Sequence, residues 1–397
     1  MAGLQTFFKE IKKASRGHRI VSVGIEFGSS SLKLVQLIED KGVVRLGNYG
    51  EIDLGPFVGK PRGSIANLDL DKLQEATMTL INNVPIDDPE AIAVAIPLSA
   101  TLVIPLEIDQ VRPENIELAI RQKIEKEIPV PIDQVYIDWQ IIENVMDDSG
   151  QKIDNEDVDE KASKNKSETA KAVTDKAGEP EVIDVSADKM KLLCFIINKD
   201  IIDTYRTVLD NLGLSIEYFE LEAYSVLRSA IPNNVTEAMV VDIGARYTKI
   251  YAIRNGKIVH AIKKLHGGKD YTQIIAENLD ISIEKAEELK RTMNLSQMTD
   301  GVVANTLRQS ISRLVDSLRL TQREHNIKAD SPIYLCGGGS LLFGLPEYIA
   351  LTMSVKIIIC QPFMNTQAPK YLDKLLVETG PEYAVATGLA LKHIRTI

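Results

Sequence analysis

The feature that most constrains the fold of this chain is a pattern that occurs twice. In the first half, an apolar run ends in a glycine turn and a second apolar run follows, GIEFGSSSLK from Gly24. In the second half, VVDIGARYTK from Val240 has the same order. A turn and a further strand-like run follow each motif, so each half is predicted to open with a β-meander. Two similar halves predict an α/β protein with two related lobes that face each other.

Both glycine turns have the composition of a phosphate-binding hairpin. Glycine permits a tight turn that brings backbone N–H groups close to a ligand, and the serines after Gly28 add hydroxyl donors. The neighbouring acids Glu26 and Asp242 can order water around a magnesium ion. Each turn taken singly is also compatible with an ordinary hairpin. Two of them on facing lobes would clamp a phosphate chain from both sides.

A third glycine motif, Gly337-Gly338-Gly339-Ser340, follows the apolar strand PIYLC and precedes a helix. Three residues without side chains leave room for a flat ligand to pass close to the backbone. A flexible loop is the alternative interpretation of this run.

The composition indicates a soluble globular protein. The 397 residues are 44% hydrophobic and 26% charged, and the net charge of −10 argues against non-specific nucleic-acid binding. The sequence lacks an apolar run of transmembrane length and a secretory signal. The cysteines Cys194, Cys336 and Cys360 lack metal-ligand or redox spacing, so each is predicted to be a small buried apolar residue. These features predict a location in a reducing cytoplasm.

Two segments depart from the lobe pattern. Residues 1–19 place apolar side chains on one helical face and lysines largely elsewhere, which predicts a basic amphipathic arm. Such an arm either lies on an anionic membrane surface or docks on the protein itself. Residues 147–188 are rich in Asp, Glu, Lys and Ser and lack aromatic residues, so they are predicted to be a disordered insertion.

The three glycine motifs, in this order, resemble the phosphate-one, phosphate-two and adenosine motifs of actin, the heat-shock chaperone ATPases and FtsA. More narrowly, the runs from Gly24 to Leu37 and from Gly337 to Tyr348 are similar to the opening and closing motifs of the PilM family of type IV pilus assembly. The similarity covers about residues 20–145 and 190–397. It implies an actin-like ATPase fold, with two ribonuclease-H-like lobes around a nucleotide cleft and an FtsA-like extra subdomain.

The resemblance also implies domain limits. After the arm, the core of the first lobe would span residues 20–103 together with 215–235. The extra subdomain would span 104–214 and contain the insertion, and the second lobe with a closing helix would span 236–397.

The same resemblance implies a site for ATP and Mg²⁺, with Glu26 and Asp242 holding the metal through water. Glu287 and Lys290 would contact ribose and purine, or else form a solvated salt bridge. Gly268 would lie near the phosphates, or else belong to a turn capped by Asp270. The implied nucleotide-binding residues are Gly24, Glu26, Gly28, Ser29, Ser30, Ser31, Lys33, Asp242, Gly244, Thr248, Gly268, Glu287, Lys290, Gly337, Gly338, Gly339 and Ser340.

Two features argue against fast hydrolysis. The family usually has Asp where this chain has Glu26, and the extra methylene displaces the carboxylate from the strict geometry of magnesium. In the strand region AIAVAIPLSATLVIP, Ser99 and Thr101 are the only polar side chains, so the sequence offers no general base there. We expect no catalytic residue. ATP would bind with slow or absent hydrolysis and act as a structural ligand or switch.

The resemblance further implies an adaptor at the inner face of the membrane. Such proteins hold the cytoplasmic N-terminal tail of a PilN-like inner-membrane protein in a groove beside the extra subdomain, and link it to cytoplasmic pilus motor ATPases. The arm would assist this peripheral attachment, and self-association stays open. The helix ENIELAIRQKIEKEI carries Ile116, Ile120 and Ile124 on one side, for which ordinary packing on its own sheet is the alternative.

Two other functions fit the same fold. A sugar or acetate kinase would need a carboxylate base near the transferred phosphate. An FtsA-like filament former usually ends in an amphipathic membrane helix, whereas AVATGLALKHIRTI is typical of the closing helix of the fold. Both are therefore kept as alternatives to the adaptor.

Overall fold

In the computed structural model, the residues that can be described are 19–144, 189–295 and 301–396. The predicted insertion and all but the last residue of the predicted arm lie outside these ranges. The chain divides into two compact units, of which the larger contains both lobes and the smaller is built mainly on residues 101–199. No helix in the described ranges is long and apolar enough to cross a membrane.

The strands are β1 (Arg19–Phe27), β2 (Ser31–Asp40), β3 (Val43–Asp53), β4 (Ala91–Ile96), β5 (Thr101–Asp109), β6 (Val135–Asn144), β7 (Lys189–Asn198), β8 (Tyr218–Leu221), β9 (Glu237–Ile243), β10 (Thr248–Arg254), β11 (Lys257–Lys264), β12 (Ile333–Cys336) and β13 (Ile357–Ile359). The helices are α1 (Leu70–Asn83), α2 (Ile116–Ile124), α3 (Lys199–Asn211), α4 (Glu222–Ala230), α5 (Gly268–Leu279), α6 (Ile283–Thr292), α7 (Val302–Glu324), α8 (Leu345–Met353), α9 (Asp373–Thr379) and α10 (Ala384–Thr396).

The two predicted β-meanders form two sheets with the same strand order. In the first lobe the order is β3-β2-β1-β4-β8, with β4 and β8 parallel to β1. In the second lobe it is β11-β10-β9-β12-β13, with β12 parallel to β9 and to β13. The central strands β4 and β9 are buried almost throughout, as expected for strands covered on both faces. The repeat predicted from the sequence is therefore confirmed in the topology.

Helices cover both faces of the first-lobe sheet. On one face, α1 and α3 bury Leu80, Tyr205 and Leu209 against β1 and β2. On the other face, α10 buries Ala386 and Ala390 against β2. Because α3 belongs to the core of the first lobe, the larger unit begins again at residue 200, whereas the predicted extra subdomain extended to 214.

The smaller unit is an antiparallel sheet of order β5-β7-β6 with α2 packed on it. Ile116, Ile120 and Ile124 of α2 are at most 2% exposed and lie in the core of this unit. These isoleucines therefore pack on their own sheet, which is the alternative that the sequence left open.

All three cysteines are buried, as predicted, but two of them also form a disulfide that the sequence analysis did not predict. Cys336 ends β12 and Cys360 follows β13, and a disulfide joins them with a Cα–Cα distance of 5.5 Å. Since β12 and β13 are neighbouring parallel strands, their ends meet although the cysteines are 24 residues apart in sequence. The third cysteine, Cys194, is a buried free thiol, and burial raises its pKa to about 12.

Candidate functional site

A cavity of about 530 Å³ lies in the larger unit, at the turns of the two repeated hairpins. It combines residues from both lobes with the glycine run after β12 and the segment before α10. Of the residues predicted from the sequence, the following line it: Glu26, Gly28, Ser29, Ser30, Ser31, Lys33, Asp242, Gly244, Gly268, Glu287, Lys290, Gly337, Gly338 and Gly339.

The first hairpin presents hydroxyl groups, an acid and a lysine to this cavity. The Gly28 N–H donates to the Ser31 carbonyl at 3.0 Å, which closes the turn. Glu26 and Lys33 are cross-strand partners on β1 and β2, so their side chains lie on one face. Burial raises the pKa of Glu26 to about 7, although Lys33 opposes this shift.

The second hairpin repeats this arrangement. The Gly244 N–H donates to the Tyr247 carbonyl at 3.0 Å, matching the closure of the first turn. Asp242 and Lys249 are cross-strand partners on β9 and β10, and their Oδ2 and Nζ atoms are 2.9 Å apart. Lys249 therefore corresponds to Lys33 of the first hairpin.

An acid that the sequence analysis missed lies between the hairpins. Glu222 is the first residue of α4 and its side chain is 3% exposed. Its Oε1 accepts the Leu98 N–H at 2.6 Å and its Oε2 accepts from Lys249 Nζ at 2.8 Å. The strand region at Ser99 itself offers no acid, but α4 brings the Glu222 carboxylate beside it from a distant part of the sequence.

The glycine run after β12 passes directly behind the second hairpin. Gly337 has a φ of 77°, and a Cβ added there would be 2.4 Å from Asp242 Oδ1. Its N–H donates to the Pro381 carbonyl at 2.8 Å, which fixes the run against the segment before α10. Only glycine permits this approach, so the run is an ordered wall of the cavity rather than a flexible loop.

The Glu287–Lys290 pair of α6 forms another part of the cavity wall and is mostly buried. The two side chains are 19% and 14% exposed, and Oε2 and Nζ are 2.7 Å apart. Lys290 Nζ also donates to Thr272 Oγ1 at 2.9 Å and to the Gly268 carbonyl at 3.1 Å. The solvated salt bridge considered from the sequence is therefore replaced by a network that ties α6 to the start of α5. Asp270 also accepts the Gly267 N–H at 2.7 Å, so Gly268 both begins a capped helix and lines the cavity.

Three predicted residues pack behind the lining. A Cβ on Gly24 would be 2.0 Å from the Ala386 carbonyl oxygen, so this glycine permits close packing of α10. Thr248 is fully buried and its Oγ1 donates to the His266 carbonyl at 2.7 Å. Ser340 is 1% exposed and its Oγ donates to the Gly337 carbonyl at 2.6 Å.

Several lining residues were not predicted. Among them are further charged side chains of both signs: Glu51, Asp53, Glu222, Lys249, Lys269, Arg291, Glu378 and Glu382. Lys249 had a signal in the sequence, since the acid-to-lysine spacing of the first motif recurs in the second. On β3, Glu51 lies opposite Lys33 of β2 and Asp53 lies opposite Ser31 of β2. Only the register of the two strands reveals these neighbours.

The lining fits a hydrated cation on one side. Glu26 Oε2 is buried and has no hydrogen-bond partner in the described structure, so it has a free acceptor for a water ligand. On the other side, Asp242 and Glu222 already accept from Lys249. Within the described ranges, no group of three His, Cys, Asp or Glu side chains could hold a metal ion directly.

A sequence model of a protein family matches residues 24–187 and 184–394, and the family is described as type IV pilus assembly protein PilM. The chain belongs to the PilM family. This PilM-family chain is also similar to a chain of the PilM-PilN type IV pilus biogenesis complex, at 23% identity and a TM-score of 0.70. The match covers 94% of this chain and 98% of that one.

A more distant likeness extends beyond PilM proteins. A diol dehydratase-reactivating factor in its nucleotide-free form matches with 12% identity and a TM-score of 0.50, over 95% of this chain and 100% of that chain. The PilM-family chain thus has the two-lobed actin-like ATPase fold that its glycine motifs predicted.

Proposed function

We propose that this chain is an ATP-binding adaptor of type IV pilus assembly that holds the cytoplasmic N-terminal tail of a PilN-like inner-membrane protein. The observation that carries the nucleotide part is the cavity lined by two matching hairpins and a glycine run. The partner is supported by family membership and by the likeness to a chain of the PilM-PilN complex. We include attachment to the inner face of the membrane, through that partner, in the same proposal.

Different lining residues would contact the phosphates, the ribose and the base of ATP. Ser29, Ser30 and Ser31 offer hydroxyl and backbone donors to phosphates from the first lobe, and Lys33 adds a positive charge. Gly244 and Gly268 let the backbone of the second lobe approach from the other side. The base and ribose would lie between the glycine run and the Glu287–Lys290 pair.

Mg²⁺ bound with the nucleotide would neutralise phosphate charge. Glu26 would hold it through water with its unpartnered Oε2, and Asp242 would add only a weaker water-mediated contact, because its Oδ2 also accepts from Lys249. Water-mediated contact suits Glu26, because its longer side chain need not meet the short metal–oxygen distance directly.

Hydrolysis would be slow or absent. In many proteins of this fold an acid or Gln near the strand equivalent to β4 orients the attacking water. Glu222 accepts the Leu98 N–H just after this strand, yet both of its oxygens already accept hydrogen bonds. These bonds fix the carboxylate in place and leave fewer lone pairs to orient an attacking water. The nucleotide would therefore act by stabilising the arrangement of the lobes that binds it more tightly.

Isothermal titration with ATP and Mg²⁺ tests the proposed nucleotide binding. It compares wild type with the variants Gly268→Ala and Gly268→Leu. A Cβ at Gly268 makes only ordinary contacts, at 3.7 Å from Gly244 O and Lys290 Nζ, so a longer side chain would fill the cavity without displacing backbone. We expect binding by wild type, weaker binding by Gly268→Ala, and loss of binding by a folded Gly268→Leu. A folded wild type that fails to bind ATP would overturn this part.

Fluorescence anisotropy with a labelled peptide from the N-terminal tail of a PilN-like protein tests the partner. We expect saturable binding by the full chain, with a scrambled peptide of the same composition as the control. Equal binding of both peptides would contradict the adaptor role.

A further inference from the structure

Lys249 is a mostly buried cation between two acids that line the cavity. Its side chain is 12% exposed and donates to both Asp242 at 2.9 Å and Glu222 at 2.8 Å. Burial alone would lower the pKa of Lys249, but the two carboxylates outweigh it and raise the pKa well above its ordinary value. The lysine is therefore charged at any pH at which the protein functions.

The two hairpins differ in how their acids are satisfied. In the first lobe, Glu26 Oε2 has no partner in the described structure, although Lys33 lies opposite it in register. In the second lobe, the equivalent lysine bonds directly to its acid and to Glu222 as well. The first lobe thus keeps an acceptor free for a hydrated cation, and the second lobe carries a cation of its own.

We propose that Lys249 replaces the second-lobe half of the divalent cation site, so that nucleotide binding depends only weakly on Mg²⁺. The inference rests on the nucleotide binding proposed above. Asp242 Oδ2 and Glu222 Oε2 both accept from the ammonium group, so fewer of their lone pairs remain for the water ligands of a metal. The ammonium also offsets one of their two negative charges, which lowers the repulsion that the phosphates would meet.

The experiment measures ATP affinity by isothermal titration in Mg²⁺ and in EDTA, for wild type and Lys249→Met. We expect wild type to lose less than about tenfold in affinity when the metal is chelated. In Lys249→Met the acids are free to accept from metal-bound water, so chelation should cost about a hundredfold or more. The exposed Lys285→Met, on α6 outside the cavity, removes the same charge and should behave as wild type.

The outcomes separate the two proposals. Binding by wild type in Mg²⁺ that disappears in EDTA overturns the role of Lys249 and leaves nucleotide binding intact. Equal metal dependence in wild type and Lys249→Met also overturns it. Failure of wild type to bind under both conditions overturns the proposed function instead. If Lys249→Met does not fold, the wild-type comparison still decides, and Lys249→Arg should keep the weak metal dependence.

Discussion

The Glu26 carboxylate shows how far one side chain depends on its surroundings. The sequence places it correctly in the cavity, because it stands in a recognisable motif. Its protonation is set by burial, which raises its pKa to about 7, and no sequence pattern reports that. Glu222 was missed for a related reason, since α4 brings it to the cavity from a segment with no motif of its own.

Glu26 should make the stability of the protein depend on pH. The unfolded carboxyl titrates near 4.5 and the folded one near 7, so the folded state binds the extra proton between these values. Its contribution to stability is then complete below pH 4.5 and is lost as the pH rises to 7. Glu26→Gln should therefore stabilise the protein at pH 8, by about 1–3 kcal/mol, and clearly less at pH 5.

Urea unfolding of wild type and Glu26→Gln at the two pH values measures this effect. The control is Glu347→Gln, an exposed carboxyl outside the cavity, which should leave stability unchanged at both. A Glu26→Gln gain that is equal at pH 5 and pH 8 would show that burial does not govern this group.

Among the elements, the strands were predictable and the packing between elements was not. Apolar runs and glycine turns predicted both meanders, because those signals are local. The packing role of Gly24 was not predicted, since the same motif that turns at Gly28 also needs a small residue where α10 crosses β1. The packing of α3 on the first lobe likewise depends on contacts distant in sequence, which local signals do not report.

The crossing of α10 and α4 should be intolerant of even one methyl group. A Cβ on Gly388 would be 1.8 Å from the Ser225 carbonyl oxygen, so Gly388→Ala must separate the two helices. We expect a loss of about 2–3 kcal/mol in the free energy of unfolding, measured by urea denaturation. Gly213→Ala has open space but a φ of 74°, so it should cost only about 1–2 kcal/mol from backbone strain. Equal losses in the two variants would contradict the close crossing.

For the whole molecule, the sequence predicted two lobes and an extra subdomain, and residues 101–199 form most of a compact unit with its own core. Its strands β6 and β7 pair along their length, with Asn144 opposite Met190 beside the insertion. The pairing needs only a short connection. The limits of the unit were harder to predict, because α3 continues directly from β7 into the first lobe.

Replacing residues 145–188 by a short turn of Gly and Asn should preserve the fold. The strand ends already meet, and each halving of a connecting loop lowers its closure cost by about 0.6 kcal/mol. We expect a melting temperature equal to or above that of wild type, measured by circular dichroism. A lower melting temperature, or loss of a cooperative transition, would show that this segment contributes to stability.

The position of α10 on the first-lobe sheet has a consequence for synthesis on the ribosome. The strands β1 and β2 emerge early, but the helix that buries Val35 and Leu37 on their second face is translated only after the entire second lobe. During that interval this apolar face lacks its native cover, and the second lobe can fold before the first is complete. Nascent chains of this protein should therefore be a substrate for holding chaperones until α10 leaves the exit tunnel.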